Sequence, residues 1–181
     1  MKISPIAIAV GVGLALASCQ ASETPSDPVV QVDRVTSGQS ATLVQTIGDR
    51  GFNPDVRAIG IEAPDLDQEP WGPAAQERLA ELVGDRPVVL EFDVEREYCY
   101  RDRCRQLVYL WQDGTLINER LVKEGYVLAS ARSPNTKYAD RLERAQQWAR
   151  LMGLGIWNPK NPMRQTPREF RASQREGRSQ W

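Results

Sequence analysis

Apolar and polar residues follow a period of two along several short stretches of this chain and a helical period along others. A segment reaching Thr36, residues 41 to 47 and residues 56 to 61 read as short strands. Turn residues separate them: Ser37-Gly38 first, then a Gly/Asn/Pro stretch that ends at Pro54. Over residues 73 to 83 the apolar positions Ala75, Leu79, Leu82 and Val83 share one helical face, with Pro73 at the start and Gly84 after the end. Residues 88 to 100 and 105 to 111 read as a hairpin, followed by an Asp113-Gly114 turn. The spacing then predicts a short helix over 116 to 124, a brief strand over 126 to 129 and an amphipathic helix over 138 to 151, which stops before Gly153 and Gly155. Five strand segments, leaving aside the brief one over 126 to 129, with a helix between the third and fourth and another at the C-terminal end predict a mainly β chain with α (α+β class). The architecture expected is an OB-fold, a partly open five-stranded barrel with about three helices, whose open face takes extended polymers.

With 181 residues, 41% of them apolar and 26% charged, the chain has room for one core plus tails. Its first residues, Met1 and Lys2, precede an uncharged, largely apolar run over 3 to 17, which has the order of a secretory signal and is short for a membrane span. That run ends in Leu16-Ala17-Ser18-Cys19, which resembles the bacterial lipobox. The resemblance implies cleavage before Cys19, lipid modification of its thiol, and a protein exported and held at a membrane, with the outer membrane or periplasmic face favoured by Gln20. Secretion without an anchor is the other reading. Residues 1–18 are thus expected to be a signal peptide, 19–33 a Ser/Pro-rich linker, 34–159 the domain, and 160–181 a flexible tail.

Cys99 and Cys104 enclose four residues between two strand-like runs. Facing positions across a hairpin lie about 5 Å apart, within disulfide reach, and an exported protein keeps such a bond. Zinc is a poor alternative, because the chain has no histidine and two thiols do not complete a tetrahedral site.

The net charge of −1 is unevenly spread: residues 160–181 carry six basic against two acidic side chains, residues 34–159 sixteen against nineteen. The tail is basic, suited to phosphates or headgroups or simply to solvent, and the body is mildly acidic.

The stretch VRAIGIEAPD, residues 56–65, sets Arg57 in phase with Ile59 and Ile61 and breaks at a proline between Glu62 and Asp65. An arginine among isoleucines either snorkels to solvent or meets an anion. Together with VTSGQSATL, PWGPAAQERLAELV, DRCRQLVYLWQDGTLINERLVKEGYV and SPNTKYADRLERAQQWARLMGLGIWNP, this stretch resembles the thermonuclease (staphylococcal nuclease-like) family over roughly residues 34 to 159.

The resemblance implies an OB barrel that hydrolyses phosphodiester bonds of DNA and RNA. In that family two arginines clamp the phosphate, a glutamate acts as general base and carboxylates hold a calcium ion. Carried over residue by residue, Arg57 and Arg105 fall on the clamp, Asp65 on the general base and Glu62 on a metal ligand. The departures are all among the acids: Gln39 follows Gly38 where the family has an aspartate, Glu62 lengthens a ligand, Ala63 replaces a threonine and Asp65 shortens the base. A lost anionic ligand weakens a calcium site, and a base shortened by one methylene, about 1.5 Å, moves out of attack geometry. Asp67 or Glu69 could help Glu62 and Asp65 share a cation. Where the family places tyrosines near the nucleotide, Arg101, Arg103 and Arg132 stand close by, able to lie on bases or simply to face water.

These observations lead to a monomeric, metal-dependent nuclease with a divalent metal as cofactor, calcium by the resemblance, and nucleic acid as substrate, tethered to a membrane through Cys19. The alternatives are a catalytically silent OB module that binds nucleic acid or a protein partner at the envelope, and a purely structural envelope lipoprotein.

Overall fold

The computed structural model describes residues 28–44, 54–101 and 103–178. The expected signal peptide, Cys19 and most of the 48–54 turn lie outside the described residues. Ten short strands form the β layer: β1 (Val29–Val30), β2 (Val32–Ser37), β3 (Ser40–Leu43), β4 (Asp55–Ala58), β5 (Ile61–Glu62), β6 (Val88–Glu91), β7 (Glu97–Tyr100), β8 (Arg103–Gln112), β9 (Thr115–Leu116) and β10 (Leu128–Ala129). Eight of them make one curled sheet in the order β1-β6-β8-β4-β3-β2, with β7 and β9 also on β8, while β5 and β10 pair separately. This is the expected mixed α+β, OB-like fold, in which the five predicted strand segments are cut into shorter strands by bends.

Strand β8 organises the sheet because it is long enough to serve two sets of neighbours. Its first half pairs antiparallel with β7, Cys99 facing Cys104, and parallel with β4, Arg57 facing Leu107. Its second half pairs with β6 and β9. Residues 106–112 are buried without interruption, as the two-sided cover of a central strand requires. The long strand predicted over 88 to 100 is broken after Glu91. There the Asn135 side chain accepts from the Glu95 N–H (2.8 Å) and donates to the Glu95 carbonyl (3.0 Å), satisfying backbone that has left the ladder.

Four α-helices cover the sheet: α1 (Trp71–Val83), α2 (Ile117–Lys123), α3 (Ala139–Met152) and α4 (Pro167–Arg178), with a 3-10 turn at Gly155–Trp157. Helix α1 buries the predicted face, Ala75, Leu79, Leu82 and Val83. It starts two residues ahead of Pro73, which is tolerated in a first turn where N–H groups lack helical partners. Leu121 and Val122 of α2 and Leu142 and Ala145 of α3 join the same core.

Two expectations about the ends are corrected. Strands β1 and β2 begin ahead of Arg34, because Val29 and Val30 pair with Val89 and Val88. The tail contains helix α4, built on a capping box: Thr166 N–H donates to Glu169 Oε2 (2.7 Å), and Glu169 N–H donates to Thr166 Oγ1 (3.3 Å), with Pro167 at the first helical position. None of the helices among the described residues is long and apolar enough to cross a membrane.

Candidate active site

Strand β4 delivers Arg57 and then stops, because Gly60 takes a left-handed conformation (φ +75°) that ends the alternation of the sequence. A Cβ there would lie 2.5 Å from Leu142 Cδ1, so the bend also lets α3 approach. After the bend, β5 pairs Glu62 with Leu128 of β10. The next residue is fixed from another side: Ala63 N–H donates to Gln39 Oε1 at 3.0 Å, and Ala58 N–H donates to the Gln39 carbonyl at 2.8 Å. Gln39, at the position where the resemblance implies an acidic ligand, is therefore a buried neutral brace between the β2–β3 turn and the strand end.

Asp65 is held by its own turn, where Gln68 N–H donates to its carbonyl at 2.8 Å. Gly72, in the first turn of α1, comes so close that a Cβ would stand 1.9 Å from that carbonyl oxygen, so the turn and the helix start fit only with glycine there.

These residues border one cavity of about 630 Å³. Arg57 and Arg105 line it, with Ile59 and Leu107 between them; Glu62, Asp65 and Tyr98 line it as well. Both predicted clamp arginines and both predicted acids are therefore brought together from two stretches of the chain, residues 57–65 and the start of β8. Of the three other arginines singled out in the sequence, Arg132 lines the cavity, whereas Arg101 places its guanidinium 5.4 Å from the Tyr100 ring and Arg103 is exposed at the first position of β8. Asp67 lines a neighbouring groove, and Glu69 neither cavity nor groove.

Two charged residues of the cavity, Glu95 and Arg171, are not among the residues that the sequence singles out. Arg171, from α4, reaches between the two carboxylates: Nη2 donates to Glu62 Oε1, and Nη1 lies 3.3 Å from both carboxylate oxygens of Asp65. The signal for it was present in Thr166-Pro167-Arg168-Glu169, a capping box that announces a helix in the basic tail. What the sequence does not convey is where that helix docks.

The guanidiniums sense one another. Burial first, and then Arg105, with Arg171 and Arg132 adding to it and Glu62 opposing, lower the proton affinity of Arg57. Arginine nevertheless stays charged in a protein, so the electrostatic cost is relieved by an anion rather than by loss of a proton. Among the described residues no ion pair or side-chain hydrogen bond engages Arg57, Arg105 or Arg132, which leaves their donors directed at solvent or ligand.

The carboxylates suit a hard cation in chemistry: Glu62 and Asp65 already converge on a single positive group. Elsewhere among the described residues, the one group of three with metal-ligand spacing is Glu97, Cys99 and Cys104, and its two sulfurs are bonded to each other as the expected disulfide.

The family model described as "Staphylococcal nuclease homologue" matches residues 55–159. The chain is 33% identical over 131 residues to a thermonuclease of Staphylococcus intermedius, covering 70% of this chain and 74% of that one. It is 31% identical over 113 residues to a thermonuclease of Staphylococcus hyicus (60% and 65%), and 32% identical over 136 residues to the endonuclease YncB of Bacillus subtilis (71% and 61%). In these last two cases the chain spans less than two thirds of the relative's length. Arg171 lies beyond the matched segment, whereas Arg57, Glu62, Asp65 and Arg105 lie within it. On the matched segment, the curled sheet and the relatives together, the chain belongs to the family of staphylococcal nuclease homologues.

Proposed function

We propose that the chain is a phosphodiesterase that hydrolyses DNA, RNA or both in the cavity lined by Arg57 of β4 and Arg105 of β8. The observation that carries this reading is the convergence of Arg57 and Arg105 on one cavity beside Glu62 and Asp65. A phosphodiester bound there gains negative charge as it is attacked, and two guanidinium forks offset that charge most where it is greatest. Asp65 is the more open carboxylate, its side chain 36% exposed against 12% for Glu62, and so is the one able to take the proton of an attacking water. The new P–O bond forms from that water, the bond to the sugar oxygen breaks, and the departing oxygen takes a proton from solvent. Glu62, with Asp65 alongside, would hold a divalent cation only in place of Arg171, and such a cation would supply positive charge to polarise a phosphate oxygen.

The test is incubation of the full chain with single-stranded DNA and with RNA, in calcium, in magnesium and in chelator. Cleavage that depends on Arg105 supports the reading, and no cleavage under any condition sinks it. A second reading, a silent module that binds nucleic acid, is favoured by the engagement of both carboxylates with Arg171. It leads to binding without turnover in the same assay.

The protein also reads as exported and lipid-anchored at Cys19, as a monomer. The Cys99–Cys104 bridge supports an oxidising compartment. Cys19→Ala should release the protein from membranes, and unchanged membrane fractionation would count against the anchor.

A further inference from the structure

We propose that Arg171 is the resident cation of this site, doing for Glu62 and Asp65 what a bound divalent ion would do, so that the cavity takes a phosphate group without a metal. The inference rests on the reading of the cavity as a phosphodiester site, and it begins from the charges that line it. Four guanidiniums, those of Arg57, Arg105, Arg132 and Arg171, stand against three carboxylates, those of Glu62, Asp65 and Glu95. Without Arg171 the count is three against three, and the two carboxylates that it bridges would face an incoming phosphate uncovered. With Arg171 in place the lining is net positive, and half the charge of the repulsive pair is offset at its source.

The position of Arg171 is built into the chain. Helix α4 is capped by Thr166 and Glu169, and the segment before it is fastened where Gln68 Nε2 donates to the Gln165 carbonyl at 2.6 Å. Pro167 is buried and Phe170 half-buried, so the turn that carries Arg171 has its own seat on the body. Beyond Phe170 the helix runs out along a shallow groove with Asp67 and Arg175 at its edge. A guanidinium and a divalent ion cannot occupy the space between Glu62 and Asp65 together. Arg171 therefore competes with metal, and the missing anionic ligand at Gln39 weakens the competitor further.

The experiment uses the full-length protein and its Arg171→Gln, Arg171→Lys, Arg175→Gln and Arg57→Ala variants. Binding of a fluorescein-labelled single-stranded oligodeoxynucleotide is followed by anisotropy in chelator and in calcium, and calcium binding is measured by calorimetry. Wild type should bind the oligonucleotide equally well in both conditions. Arg171→Gln should lose about tenfold in chelator, regain it in calcium, and bind calcium about tenfold more tightly than wild type. Arg171→Lys, which keeps the charge, should hold on to metal-free binding, and Arg175→Gln, on the same helix, should match wild type. The proposal is overturned if Arg171→Gln matches wild type in both measurements, or if Arg171→Lys falls as far as Arg171→Gln. Should Arg57→Ala also leave oligonucleotide binding untouched, the phosphodiester reading fails with it; if Arg57→Ala abolishes binding while Arg171→Gln does not change it, only the role of Arg171 fails.

Discussion

The side chain of Asn118 donates from Nδ2 to the carbonyl of Ile59 at 2.8 Å, tying the second helix to the strand end that follows Arg57. Its Oδ1 accepts from the Leu110 N–H at 2.9 Å, so one fully buried amide spans the bend after β4 and the central strand β8. Asn118→Ala leaves a backbone donor and a backbone acceptor buried without partners, at a cost of about 2–4 kcal/mol. Urea denaturation should show that loss as a lower midpoint with an unchanged slope. A loss under about 1 kcal/mol would mean that the bend holds itself.

Removing either clamp arginine should affect catalysis rather than folding. Arg57→Ala and Arg105→Ala should each lower kcat/KM on DNA by about 10²–10³-fold, the usual consequence of deleting one group aimed at developing charge. Lysine should restore only part of it, because an ammonium cannot reproduce the planar fork. The double variant should lose less than the product of the two, since both groups act on one phosphate. Full additivity would place them at separate sites.

Asp65 invites a gain of function. Asp65→Glu lengthens the carboxylate by one methylene and should raise turnover by about tenfold if reach limits proton transfer. Asp65 and Glu62 share Arg171, so the gain should change when Arg171→Gln is added. Single-turnover cleavage by the two single variants and the double variant decides it, and an unchanged rate in Asp65→Glu would show that the length of the base is not limiting.

How much of this could be read from the sequence depends on the range of the interaction. The α1 face, the hairpin that joins Cys99 to Cys104 and the strand carrying Arg57 are set by local periodicity and turn chemistry, and the structure has them where the sequence put them. The bend at Gly60 was not visible, because a glycine inside an apolar run reads equally well as strand. Gln39 looked like a deleted ligand. That it braces Ala63 depends on two segments 24 residues apart coming into register, which no local pattern carries. Helix α4 was legible from its capping box and was obscured by the basic, polar composition around it, whereas the docking of Arg171 is a matter of tertiary packing alone.

Glu124 supplies a pH dependence far from the cavity. Burial alone would raise its pKa, but hydrogen bonds and charge from Arg78 and Arg120 outweigh that and hold it below the usual carboxylate range. A carboxyl lowered in the folded state adds stability that is present above its unfolded pKa and is lost as pH falls through the folded value. Partial exposure limits the effect to about 1 kcal/mol. Glu124→Gln should therefore destabilise at pH 7 and converge with wild type at strongly acidic pH. Parallel melting curves with a constant offset at every pH would rule this out.

Arg171 lies 106 residues after the carboxylate of Asp65 that it holds. A ribosome finishes β4, β5, α1 and all of β8 before it reaches the codon for Arg171, so both clamp arginines and both acids are in the chain before the cation that the acids share. Removal of the residues after 164 would take away the cation that the two acids share, together with the Gln165 carbonyl that holds Gln68 and the seat of Pro167 and Phe170.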